Sequence, residues 1–66
     1  MRIQWTTDVE LQIMENEDVS YNEVVKTGEI DEIDIVGGNE QSVDIQFGNG
    51  DVAYSVNRSY FVTIDE

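Results

Sequence analysis

The chain has 66 residues, and fifteen Asp and Glu against Arg2, Lys26 and Arg58 give it a net charge of −12. With no Cys and no His it lacks the side chains for disulfides and for the usual zinc, iron–sulfur and haem sites, and with no basic patch neither phosphate neutralisation on nucleic acid nor contact with an anionic membrane is expected. No apolar run is long enough to span a bilayer and no signal-peptide core follows the start, so the expectation is one small soluble, cytoplasmic domain over 1–66, held by apolar burial alone.

From the first residue the pattern has period two. Ile3 and Trp5 alternate with Arg2 and Gln4, Thr6-Thr7-Asp8 interrupts, and Val9, Leu11 and Ile13 resume the odd parity. This predicts one bent strand or two short ones facing a core. Trp5 is its anchor, with an indole N–H that needs a partner. Residues 15–23 are polar, acidic and aperiodic and read as a loop, tacked to the body by Val19 and Tyr21. A loop of that length in so small a domain is a first candidate for recognition. Its carboxylates lack the Asp-x-Asp-x-Asp-Gly spacing of a calcium loop, so no metal is assigned.

Lys26-Thr27-Gly28-Glu29 reads as a turn with Gly28 at the positive-φ position. Ile30 is even and Ile33 and Ile35 are odd, which calls for a bulge near Asp31-Glu32. Ile33, Ile35 and Val36 then point inward, and Glu29, Asp31, Glu32 and Asp34 form an acidic outer strip. Gly37 to Gln41 is a flexible loop.

The strongest local signal lies at 42–56. Val43, Ile45 and Phe47 alternate on one arm and Val52, Tyr54 and Val56 on the other, with Asn49-Gly50 between them. A type I′ turn centred on Asn49-Gly50 sets Phe47 opposite Val52, Ile45 opposite Tyr54 and Val43 opposite Val56. All six side chains then share one face. Asn57 or Ser59 caps a 3₁₀ turn by accepting a backbone N–H two or three residues on. A final strand follows with Tyr60, Val62 and Ile64 inward and Phe61 outward. No helical periodicity appears, and the fold class is all-β.

Over 24–64 the order of elements resembles the Src-homology-3 (SH3) family. Lys26-Thr27-Gly28-Glu29 is similar to that family's Lys-x-Gly-Glu turn. Ile33-Asp34-Ile35, the Gly37-Gly38 loop, the Gly48-Asn49-Gly50 hairpin and Val56-Asn57-Arg58-Ser59-Tyr60-Phe61-Val62 follow in the family's order. The resemblance implies a five-stranded antiparallel SH3-like barrel with a short 3₁₀ turn before the last strand. The paired tryptophans of peptide-binding members would fall near Ser42-Val43, their Ala-Leu-Tyr-Asp-Tyr opening is missing, and Asn57 replaces the proline of the 3₁₀ turn. Only Tyr60 remains as a groove wall, so proline-rich ligands are not implied.

Without His, Cys or an evident base for a hydroxyl, the chain offers no catalytic constellation, and neither an enzyme nor a bound cofactor is expected. The composition points to a monomeric accessory module that docks on a basic surface of a larger protein. Glu15, Glu17, Asp18, Glu29, Asp31 and Glu32 would meet the partner's cations, with Tyr21 and Tyr60 as amphipathic anchors. The other reading is charge mimicry. Carboxylates aligned on one face, with Glu29 beside Asp31 and Glu10 on a neighbouring strand, would occupy the phosphate sites of a nucleic-acid-binding protein.

Overall fold

The computed structural model describes residues 1–64, and within them seven strands form one antiparallel sheet. These are β1 (Arg2–Trp5), β2 (Val9–Met14), β3 (Ser20–Val25), β4 (Ile30–Gly38), β5 (Ser42–Phe47), β6 (Val52–Asn57) and β7 (Phe61–Thr63), with a 3₁₀ turn at Arg58–Tyr60. The order across the sheet is β3-β2-β6-β5-β4-β1-β7. All-β is therefore correct, but the five-stranded closed barrel is not: there are seven strands, and among the described residues β3 and β7 are not joined. Strand β4 bends the sheet, pairing with β1 over Ile30–Glu32 and with β5 from Ile33 onward.

One apolar cluster fills the concave side. Ile3, Trp5, Leu11, Ile13, Ile33, Val43, Ile45 and Val56 are buried there, as alternation places them, together with Val25, Ala53 and Phe61. Trp5 is 1% exposed and meets the Phe61 ring edge-on at 5.6 Å. The first two strands are the two short ones, divided at Thr6-Thr7-Asp8.

The 42–56 hairpin forms, but around a different turn. Gly50 N–H donates to the Phe47 carbonyl and Phe47 N–H to the Asp51 carbonyl. Gly50 takes φ +95°, while Asn49 stays out of the positive-φ region. This is the three-residue loop with a glycine bulge, not a type I′ turn. Asn49 instead uses its Oδ1 to accept the Asp51 N–H at 3.0 Å. The register slips by one, so that Gln46 opposes Val52 and Ile45 opposes Ala53. Ala53 is thus buried, and Tyr54 is 60% exposed. A tyrosine at the Ala53 site would bury its hydroxyl in a core that holds no polar residue.

A second irregularity undoes the slip. Tyr54 and Ser55 both fall opposite Asp44, Ser55 adopts φ 57°, and Val43 pairs with Val56 as the alternation requires. Asp44 Oδ1 accepts the Ser55 N–H at 3.0 Å. On the other side of β5 the β4 register shifts between Ile35 and Gly37. The bulge expected at Asp31-Glu32 is thus at Val36, and Ile30 is simply exposed. Of Ile33, Ile35 and Val36, only Ile33 is buried. Gly38 follows at φ +115°, where a Cβ would collide with the Ser42 carbonyl oxygen. Only glycine fits there.

Three further expectations change. Residues 15–23 are not one loop: a turn at 15–19 is closed by Asn16 Oδ1, which accepts the N–H groups of Asp18 and Val19, and β3 begins at Ser20. Residues 37–41 are only partly loop, since β4 runs to Gly38. The last strand begins at Phe61, which is buried, while Val62 is exposed. Its facing is the reverse of that expected because Tyr60 belongs to the 3₁₀ turn. That turn is capped as read, with Asn57 Oδ1 accepting the Ser59 N–H at 2.9 Å. The Lys26–Glu29 turn also forms as read, with Glu29 N–H on the Lys26 carbonyl and Gly28 at φ +92°.

Candidate functional site

Because β4 turns away from β5 at its start, the concave face stays open between β3 and the Glu29–Glu32 segment. The opening is a cleft of about 410 Å³ whose floor includes Ile13, Val25 and Phe47. Its rim carries Glu23 from β3, Glu29 from the turn before β4, Asp31 and Glu32 from the start of β4, and Asp51 from the β5–β6 turn. No lysine or arginine lines it. Among the described residues no three carboxylates converge closely enough to hold a metal ion.

Lys26 and Arg58 are occupied elsewhere. Lys26 Nζ stands 3.9 Å from Asp8, and Arg58 Nε donates to the Asn39 carbonyl at 2.9 Å. Asp8 also accepts the Thr27 N–H at 2.7 Å and the Thr27 hydroxyl at 2.9 Å. Those two hydrogen bonds, with Lys26 adding to them, hold its carboxyl below the ordinary aspartate value. Arg2 stands across the β1–β4 pairing from Glu32, and among the described residues the rest of the rim, at Glu23, Glu29, Asp31 and Asp51, has no lysine or arginine among its lining neighbours.

Two aromatic donors meet rim carboxylates. Trp5 Nε1 donates to Asp31 Oδ2 at 2.7 Å, and the Tyr21 hydroxyl donates to Asp51 Oδ2 at 2.6 Å. The Tyr21 phenol is pushed up to about 12, first by the hydrogen bond to Asp51, then by desolvation and the charges of Asp51, Glu23 and Glu15. Asn49 Nδ2 donates to the same Asp51 oxygen at 3.2 Å. The cleft therefore has a stiff wall at Trp5–Asp31 and an exposed one at Tyr21–Asp51.

Of the residues singled out from the sequence, Tyr21, Glu29, Asp31 and Glu32 come together here. The outer acidic strip is split, because Asp31 sits on the inner face with Ile33 and takes the indole N–H, while Asp34 stands 4.0 Å from the Met1 amino group. Glu15 and Glu17 border a separate shallow hollow with Met14, Val52 and Tyr54. Asp18 is in the β2–β3 turn. Tyr60 is half-buried against the core and gives its carbonyl to the Thr6 N–H at 2.8 Å. Glu23 and Asp51 were missed. The period-two spacing of Tyr21, Glu23 and Val25 carries the signal for the first, and the position next to Asn49-Gly50 carries it for the second. The chain matches no protein-family model, no curated protein and no solved structure.

Proposed function

We propose that the chain is a non-enzymatic accessory module that docks through this cleft on a basic surface of a larger protein. The observation that carries the reading is the cleft itself. Five acidic residues from three separated segments line it around an apolar floor, and no basic residue is among the lining. Such a surface attracts a cationic partner over a Debye length and gives it apolar area to bury on contact. The relation to SH3-like folds enters as one of element order: a type II Lys-Thr-Gly-Glu turn, successive hairpins and a 3₁₀ turn before the last strand.

The test is capture at low salt from the native host, with two triple variants of equal charge. Glu23→Lys/Glu29→Lys/Glu32→Lys should lose partners that Glu10→Lys/Glu17→Lys/Glu40→Lys retains. Equal loss from both would mean that net charge alone holds the partner. Release of DNA from a captured protein, steeply weakened by salt, would favour phosphate mimicry instead.

A further inference from the structure

Among the described residues strand β3 has a partner on one side only, since it pairs with β2 and ends the sheet. Glu15 N–H donates to the Val19 carbonyl, which makes those two a hydrogen-bonded pair. Antiparallel alternation then makes Ile13–Tyr21, Leu11–Glu23 and Val9–Val25 bonded pairs as well. Ser20, Asn22 and Val24 therefore turn their N–H and C=O groups away from β2, toward the free edge. Its one protection is the inward-facing Glu23: β3 contains no proline, no lysine and no register shift.

The same edge borders the cleft. Tyr21, Glu23 and Val25 stand on its inner face, with Glu29, Asp31 and Glu32 across the opening. Resting on the docking reading above, we infer that the partner contributes an extended basic segment that adds to β3 as a further strand. Its main chain pairs with Ser20, Asn22 and Val24. Its alternate side chains turn inward, lysine or arginine opposite Tyr21 and Glu23, where the rim carboxylates receive them. A second copy of this chain is the wrong occupant. Edge-to-edge pairing would bring two bodies of net charge −12 together, each with Glu23 at the contact.

The test uses two synthetic hexapeptides of equal charge, acetylated and amidated: Lys-Val-Lys-Val-Lys-Val and Lys-Pro-Lys-Pro-Lys-Pro. The second keeps the lysines but lacks alternate N–H donors and the strand conformation. At low salt the Lys-Val peptide should bind the whole chain at least about tenfold more tightly, because proline removes main-chain bonds that the strand would make. It should also slow amide exchange at Asn22 and Val24. Asn22→Pro leaves the charge unchanged and should bring Lys-Val down to the Lys-Pro level. Equal binding of the two peptides to the wild type, without protection at Asn22 and Val24, would overturn strand addition and leave charge-guided docking standing. Binding of neither would overturn both. Protection of the two amides without peptide, with a salt-dependent rise in sedimenting mass, would assign the edge to a second copy.

Discussion

The two walls of the cleft use the same chemistry to different ends. On one, Trp5 donates to Asp31; on the other, Tyr21 donates to Asp51, at almost the same distance. Trp5 is 1% exposed, whereas Tyr21 is 39% exposed. The indole has no water to turn to if its carboxylate is lost, and its ring lies against Phe61 within the core. The phenol exchanges its carboxylate for solvent with little penalty. Burial, not the hydrogen bond, decides which pair holds the fold and which sets only a local proton affinity.

Truncation of the buried partner should have the largest effect. Trp5→Ala should cost about 3–5 kcal/mol, against a total of roughly 3–10 kcal/mol expected for a chain of this length at about 0.05–0.15 kcal/mol per residue. Loss of the cooperative urea transition is the expected result, and retention of a native-like midpoint would remove Trp5 from its place as anchor. Asp31→Ala should cost about 1–3 kcal/mol by stranding the indole N–H. Asp31→Asn, which keeps an acceptor oxygen, should recover most of that loss.

The exposed wall should respond chiefly to alkali. At neutral pH Tyr21→Phe should unfold slightly below the wild-type midpoint, because the solvent-exposed hydrogen bond to Asp51 contributes little. The phenol's folded pKa is raised to about 12, above the ordinary value of about 10. Its contribution is therefore fully present below about pH 10, where the phenol is protonated in both states. It is lost as pH rises toward 12, because the unfolded chain ionises first. The difference between wild type and Tyr21→Phe should fall across that window, and a flat difference would break the contrast between the walls. The smallest effect is expected from salt. Raising ionic strength from about 0.01 to 0.15 M shortens the Debye length from about 30 to 8 Å. The thermal midpoint should rise by a few degrees, since about 1 kcal/mol corresponds to roughly 4–8 °C in a domain of this size. An unmoved midpoint would mean that the net charge of −12 is already compensated.

Much of the core was legible because a strand with one buried face declares itself by alternation. Ile3, Trp5, Leu11, Ile13, Val43 and Ile45 needed nothing more. The Gly28 turn and the Asn57 cap were equally local. Strand β3 was not legible, because an edge strand buries little and only its last residue, Val25, is inside. Its Glu23 and the turn residue Asp51 therefore went unnoticed as members of the site, as did the proximity of both to Glu29 and Glu32.

By itself the amino-acid order determined an all-β chain, its principal turns, most of its buried side chains and its uncompensated acidity, each a property of a few neighbouring residues. Tertiary structure alone decided the rest. The glycine bulge at Gly50, the left-handed Ser55 and the shift at Val36 settle which face each residue takes, and a slip of one position exchanges the faces. Bend and register together bring carboxylates from residues 23, 29–32 and 51 around one opening. No local pattern encodes that meeting, because it depends on how far the sheet coils before its edges come face to face.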